Sequence, residues 1–256
     1  MAKDFPRAVL VTGAARRVGR AIALGFARHG WAVAVHHRNS AEAARALVDQ
    51  IWGEGGTAAA LEADLMDEAQ VRALVPRAVE AVGPLTCLIN NASVFEDDGP
   101  ETASRQVWDA HMQVNLRAPF VLCQAFASQL SDDIEGNVVN IIDQRVLNLT
   151  PFFTSYTLSK AALWTLTQTL ALALAPRIRV NAIGPGPTLP SARQSEDQFI
   201  RQWASLPLVR PTTPEEIAAA VLFILDLPAM TGQMIALDGG QHLGWAQGPG
   251  RPRADE

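Results

Sequence analysis

AVLVTGAARRVGRAIALGFARHG, residues 8 to 30, carries the reading on which the fold turns. A short apolar, β-rich run ends at Thr12, and a helical pattern begins just beyond it. Gly13 and Gly19 allow a tight turn and a close approach of backbone to phosphate, while the helix start that follows offers unpaired N–H groups and a positive dipole end to a pyrophosphate. A lone glycine-rich turn is a weak motif, since an ordinary strand-to-helix loop looks much the same. Its weight comes from the rest of the chain. WAVAVHH, TAAALEA, LTCLINNAS, NVVNIID, IRVNAIGPG and QMIALDGG repeat the first run, separated by helix-length amphipathic segments. Continuous apolar strands alternating with helices predict a single α/β domain over residues 1–256, a doubly wound, Rossmann-type parallel sheet of seven strands with helices on both faces.

The composition narrows the partners. The chain has 256 residues, 48% of them hydrophobic, and a formal charge of −5. That is enough to bury a sizeable core, and it carries no basic footprint for nucleic acid or an anionic membrane. The start, MAKDFPRAVLVTG, lacks a clean apolar signal run, and no stretch of about 20 uncharged apolar residues occurs, so a soluble cytoplasmic protein is expected. Cys87 and Cys123 sit in apolar runs without metal-ligand spacing, so buried thiols and no metal are expected. Thr213, Pro214, Glu215 and Glu216 spell an N-cap, a first-turn proline and a capping-box acid. The tail, residues 246–256, loses periodicity and reads as mobile. A small molecule is the default partner.

The end of the second strand selects the cofactor. Chains that prefer NAD place an acid there for the ribose 2′-OH; here the stretch is HHRNS, with His36, His37, Arg38, Asn39 and Ser40, and Arg16 and Arg17 stand nearby in the first loop. Forked guanidinium donors suit a 2′-phosphate, which a carboxylate would repel, so NADPH is favoured over NADH. Asp64 follows the third strand, where it suits the adenine amino group or, equally, a helix cap.

The catalytic candidates lie further on. Tyr156 is the one tyrosine, Lys160 stands four residues later, and among 21 basic residues the only other lysine is Lys3. Positions i and i+4 share a helix face, so an ammonium beside the phenol is expected to favour phenolate and lower the tyrosine pKa from about 10. Asp143 stands thirteen residues before the tyrosine.

The set TGxxxxxG, Asp64, NNAS at Asn90 to Ser93, Asn115 and YxxxK at Tyr156 and Lys160 resembles the short-chain dehydrogenase/reductase family over residues 7 to 243. The resemblance implies that Lys160 also binds the nicotinamide ribose, that Asn115 helps hold a water of the proton relay, and that Val18, Leu65, Asn91, Ala92, Ser93, Pro185 and Gly186 join the cofactor contacts. It also implies a homotetramer.

Three departures from the family pattern agree with one subfamily. Arg17 occupies the middle glycine position, Asp143 replaces a serine that donates to the substrate oxygen, and NNAS is followed by Val94 and Phe95. An ionised carboxylate cannot donate and would repel a developing alkoxide, whereas a ring N–H would tolerate it. The combination is similar to pteridine reductases. That similarity implies a pterin sandwiched between nicotinamide and Phe95, with Arg17 at the pterin O4 and the cofactor phosphate and Ser93 at the pterin amino group. Hydride would pass from NADPH to a ring carbon of a C=N bond. Tyr156, assisted by Lys160 and Asp143, would protonate N8, while reduction at C6 and N5 would draw its proton from water.

Dihydrofolate, dihydrobiopterin and dihydromonapterin differ at C6, where residues 187–203 make contact, and the sequence does not choose among them. Two other functions fit less well: an NADPH-dependent carbonyl or 3-oxoacyl thioester reductase, and a catalytically silent NADPH sensor, against which the intact Tyr156 and Lys160 weigh. For Phe95 a core aromatic role competes with stacking. His242 and Trp245 are read either as closing the pocket or as packing, and His111 and Trp108 as structural residues of an interface helix.

Overall fold

A computed structural model describes residues 7–191 and 193–244, and the tail call at 246–256 and Trp245 lie outside the described residues. Seven strands form one parallel sheet in the order β3-β2-β1-β4-β5-β6-β7. They are β1 (Ala8–Val11), β2 (Ala32–His37), β3 (Ala58–Glu62), β4 (Cys87–Asn90), β5 (Gly136–Ile141), β6 (Ile178–Pro185) and β7 (Met234–Leu237). All seven expected strands are present. Their unbroken apolar runs follow from burial on both faces: every residue of β1 and β4 is buried.

Two cores flank the sheet. One is packed by α3 (Glu68–Val82), α5 (Ala118–Gln129) and α6 (Thr154–Ala173), and includes Leu74, Leu122, Phe126 and Leu170. The other is packed by α1 (Arg17–Arg28), α2 (Ala41–Gly53) and α8 (Pro214–Leu225), and includes Ile22, Phe26, Leu47 and Val221. Helix α8 starts on the expected capping box: Thr213 Oγ1 accepts from the Glu216 N–H and the Glu216 carboxylate accepts from the Thr213 N–H. Helices α4 (Arg105–Met112) and α7 (Glu196–Ala204) complete the set, and a single π-helical turn, Gln113–Arg117, joins α4 to α5. No described helix is long and apolar enough to cross a membrane.

The topology places the site. Strand order reverses between β1 and β4, and such a reversal opens a crevice at the carboxyl ends of the strands. Register aligns those ends, because Val11 of β1 lies opposite Val35 of β2 and Ile89 of β4. Thr12, His36 and Asn90 therefore emerge side by side.

Candidate active site

The glycine turn is sewn to its neighbours by side chains. Thr12 Oγ1 accepts from the N–H groups of Asn91 (2.9 Å) and Ala92 (3.0 Å), and Asn91 Nδ2 donates to the carbonyls of Thr12 (2.8 Å) and Gly13 (3.2 Å). Gly13 has φ +63°, and a Cβ on Gly19 would lie 2.2 Å from the Gly13 oxygen, so neither position admits a side chain. Helix α1 begins here with no side-chain cap and no acid in its first turn. Its leading N–H groups stay available to an anion.

His36 requires a correction. Expected among the 2′-phosphate ligands, it is 2% exposed and bonded to backbone through both ring nitrogens. Nδ1 accepts from the Gly13 N–H (3.0 Å), so the ring proton sits on Nε2, 3.1 Å from the Ala63 carbonyl. Burial lowers its pKa to about 4, with the Ala63 contact opposing and His37 adding to the shift. The ring is thus neutral and braces the glycine turn, lining a cleft with both of its nitrogens already bonded to backbone. The cleft beside it, about 270 Å³, is lined by Arg16, His37, Arg38, Asn39, Ser40 and Asp64, with Leu65, Ala92 and Ser93 closing one side. Arg16 and Arg38 are exposed, and the buried Nδ1 of His37 has no hydrogen-bond partner. An uncapped helix start, two solvent-facing guanidiniums and an orphaned imidazole nitrogen fit a phosphorylated dinucleotide. Asp64 lines the cleft and is not the helix cap: its Oδ1 accepts from the Met66 N–H (3.0 Å) in the turn before α3, and the cap is Asp67, which accepts from the Ala69 and Gln70 N–H groups.

A second cleft, about 190 Å³, opens where β5 and β6 end. Arg17, Phe95, Asp143, Pro185 and Gly186 line it. Arg17 adopts φ +54° and spans to the loop after β6, donating to the carbonyls of Pro190 (2.9 Å) and Leu189 (3.1 Å). It stands over this cleft, and with its neighbour Val18 it opens α1. Phe95 is half-buried, stacked on Phe153 (4.6 Å between centroids, 12° between planes) and edge-on to Tyr156 (4.6 Å, 71°). It is therefore a pocket wall. The sequence reading passed over Phe153, which is 1% exposed and held at φ +56° as the residue preceding α6. A bulky residue in the left-handed region is strained, and such strain clusters at functional sites. Its place beside Tyr156 in FFTSY was the available signal.

Asp143 and Tyr156 meet as the resemblance implied: the phenol donates to Asp143 Oδ2 at 2.9 Å, while Oδ1 accepts from the Arg145 N–H at 2.8 Å. The expected depression of the tyrosine pKa does not occur in this arrangement. Burial, then the Asp143 charge, then the hydrogen bond to it, push the phenol well above its ordinary value. Lys160 explains why. Its Nζ donates to the Ile141 carbonyl (2.9 Å) and lies 5.8 Å from the tyrosine ring centroid, so the carboxylate is the charge that dominates the phenol. Burial lowers the ammonium pKa to about 8 against the pull of Asp143.

Asn115 lies in the π-helical turn, and its amide is used in full. Oδ1 accepts from the Val94 N–H (2.8 Å) and Ser93 Oγ (3.1 Å), and Nδ2 donates to the Val94 carbonyl (2.9 Å) and Ser159 Oγ (3.0 Å). The side chain clips the 93–94 segment to α6, which leaves its amide no capacity for a relay water. His242 Nδ1 lies 2.7 Å from Asp238 Oδ2 and its backbone N–H donates to the same oxygen, a packing contact that ties the segment after β7 together. Gln144 Oε1, Ser191 Oγ and Gln241 Oε1, all buried and without hydrogen-bond partners, belong to residues that line the second cleft; Ser191 falls in the 187–203 stretch expected to meet substrate, while Gln144 and Gln241 were missed by sequence reasoning. The three come from separate segments, so no spacing betrays them. The described residues contain no metal-binding cluster, and Cys87 and Cys123 are buried free thiols.

A family model described as Enoyl-(Acyl carrier protein) reductase matches residues 13–242. The structure of FolM alternative dihydrofolate reductase 1 from Brucella canis, complexed with NADP, is 49% identical, with TM-score 0.92, over 95% of this chain and 97% of that one. A short chain dehydrogenase from Burkholderia cenocepacia in complex with NADP is 34% identical, with TM-score 0.85, over 91% of this chain and 96% of the other. Among sequence relatives, the 3-oxoacyl-[acyl-carrier-protein] reductase FabG of Staphylococcus aureus is 32% identical over 93% of this chain and 98% of its own.

Proposed function

The chain belongs to the short-chain dehydrogenase/reductase family, and from that premise we propose that it is an NADPH-dependent pteridine reductase, reducing dihydropterins or dihydrofolate to their tetrahydro forms. One observation carries the substrate class: a carboxylate, Asp143, bonds the buried Tyr156 phenol beneath the Phe95 wall. A carbonyl substrate needs a donor at that point, and a carboxylate is an acceptor only. Ring N–H groups of a pterin complement it. The unmet hydrogen-bonding capacity of Gln144, Ser191 and Gln241 further suits a flat, nitrogen-rich ring. The 49% identity to a FolM dihydrofolate reductase points the same way.

Each residue then takes a role. Arg16, Arg38, His37 and the α1 N-terminus would hold the cofactor phosphates, and Lys160 would meet the nicotinamide ribose. The cofactor supplies a hydride when bound. Phe95, supported from behind by Phe153, provides the flat surface that orients the ring. Asp143 holds the tyrosine proton at 2.9 Å and accepts from a ring N–H, so Tyr156 remains a proton donor across neutral pH. Reduction of the C6–N5 bond adds hydride to C6 and a proton to N5, the latter drawn from water on the open side of the pocket. Exposed apolar side chains on α4 and α6, Trp108, Leu158 and Leu172, support a homo-oligomer, tetrameric by family resemblance.

The test is NADPH oxidation with dihydropterins, dihydrofolate, simple ketones and a 3-oxoacyl thioester side by side. Turnover with a dihydropterin or dihydrofolate, and little with the carbonyl compounds, is expected; turnover confined to the thioester would assign the protein to the carbonyl reductases.

A further inference from the structure

The His111 side chain does something that its sequence position does not suggest. Helix α4 is largely solvent-facing, and His111 is its one buried residue, at 0% exposure. Its Nε2 accepts from the Glu96 N–H (3.1 Å). In the neutral ring the proton then sits on Nδ1, which lies 2.6 Å from Ser155 Oγ. Ser155 in turn donates its hydroxyl proton to Asp98 Oδ2 in a short hydrogen bond, and the Ser155 N–H donates to Asp98 Oδ1 (3.0 Å). Asp98 thereby caps α6 from outside the helix, where Phe153 supplies no side-chain cap. Every proton in this chain has one place. Ser155 is fully buried and its hydroxyl proton is committed, so the set is not a nucleophile with its base.

The chain ends at the pocket. Glu96 follows Phe95, the wall residue, and the His111 ring also packs edge-on to Tyr156 at 5.8 Å. From the opposite side Arg193 donates to the Phe95 carbonyl (2.6 Å) and the Glu96 carboxylate (2.5 Å). The Phe95–Glu96 step is therefore gripped from the core by His111 and from the rim by Arg193. We propose that His111, Ser155 and Asp98 form a positioning network that sets Phe95 over Tyr156, so that substrate affinity depends on His111 remaining a neutral acceptor. None of the three touches the reacting atoms. The proposal rests on the Phe95–Tyr156 cleft being the substrate site, but not on which ring binds there.

Protonation would place a second N–H on Nε2, against the Glu96 N–H, and undo the grip. The groups facing the ring favour neutrality on balance. Burial lowers the pKa most, Asp98 and Glu96 oppose it, and Lys160 from α6 and Arg193 from the loop before α7 add to the lowering.

The experiment compares wild type, His111→Ala and His111→Gln. A glutamine oxygen stands near the Nε2 position and accepts without titrating. For His111→Ala, a rise of about tenfold in KM for the dihydropterin is expected, as loss of one buried hydrogen bond supports, with kcat within about twofold and NADPH affinity unchanged. His111→Gln is expected to restore KM. Wild-type KM should climb as pH falls below the ordinary imidazole range, and that of His111→Gln should not. Amide exchange over residues 94–98, read by mass spectrometry, should quicken about tenfold in the alanine variant and not in the glutamine one. Unchanged KM and unchanged exchange in His111→Ala would overturn the proposal, as would equal losses in kcat and NADPH affinity. Should wild type not reduce dihydropterins at all, the functional reading falls, while the exchange measurement still decides this one.

Discussion

Lys160 shows at the scale of one residue how a site holds a charge that the fold disfavours. Its ammonium is 2% exposed, and burial lowers its pKa from 10.5 to about 8. Between those values the unfolded chain keeps the proton and the folded chain gives it up, so wild-type stability rises with pH across that window and carries the full penalty below pH 8. Lys160→Met removes the penalty but leaves the Ile141 carbonyl without its donor. The expected net effect is a ligand-free protein more stable by about 1–3 kcal/mol at pH 7, inactive, with an advantage that shrinks between pH 8 and 9.5. Denaturant melts at pH 7, 8.5 and 9.5 check it; a variant less stable than wild type at pH 7 would show that the ammonium is a net stabiliser. The phenol is the counterpart, since burial and then Asp143 keep it protonated and make it a donor instead of a ready phenolate.

Elements meet at the glycine turn, where β2 supports the loop after β1 through the His36 imidazole and through the His36 carbonyl, which accepts from the Ala14 N–H (2.8 Å). His36 accepts the Gly13 N–H only while neutral, and burial holds its pKa near 4 against about 6.5 in the unfolded chain. The unfolded chain therefore takes up a proton first as pH falls, and stability is lost progressively from pH 6.5 down to about 4. His36→Asn keeps an acceptor near Nδ1 without titrating there. The gap between wild-type and variant unfolding free energies should narrow or reverse by on the order of 3 kcal/mol from pH 7 to pH 4. Urea titrations at pH 7, 5.5 and 4 measure it, and parallel pH profiles would remove His36 from the account. The same residue marks a limit of reading from sequence. HHRNS was read as the cofactor's selector stretch and its residues do line the cleft, yet nothing in those letters says that the Gly13 N–H lies within reach of the first imidazole.

Across the whole molecule, period and spacing were legible while contacts between distant segments were not. Seven continuous apolar runs predicted seven parallel strands because a sheet covered on both faces leaves no polar side to alternate. The meeting of Asp143 and Tyr156 was legible through the family resemblance, in which the position thirteen residues before the tyrosine faces it. Lys160 was placed on the correct helix, but it turns toward the Ile141 carbonyl, and burial followed by the Asp143 carboxylate raises the phenol pKa instead. Phe153 behind Phe95, the His111 to Asp98 chain, and Gln144, Ser191 and Gln241 each depend on segments that approach only once the sheet is assembled.

The central claim is that a carboxylate at position 143 commits the pocket to a ring bearing N–H groups. Its most direct measurement is kcat/KM of wild type and Asp143→Ser, each with a dihydropterin and with a 3-oxoacyl thioester. The serine variant is predicted to lose dihydropterin reduction by about 10²-fold or more while its thioester reduction holds or rises. Undiminished dihydropterin reduction in Asp143→Ser would contradict the account.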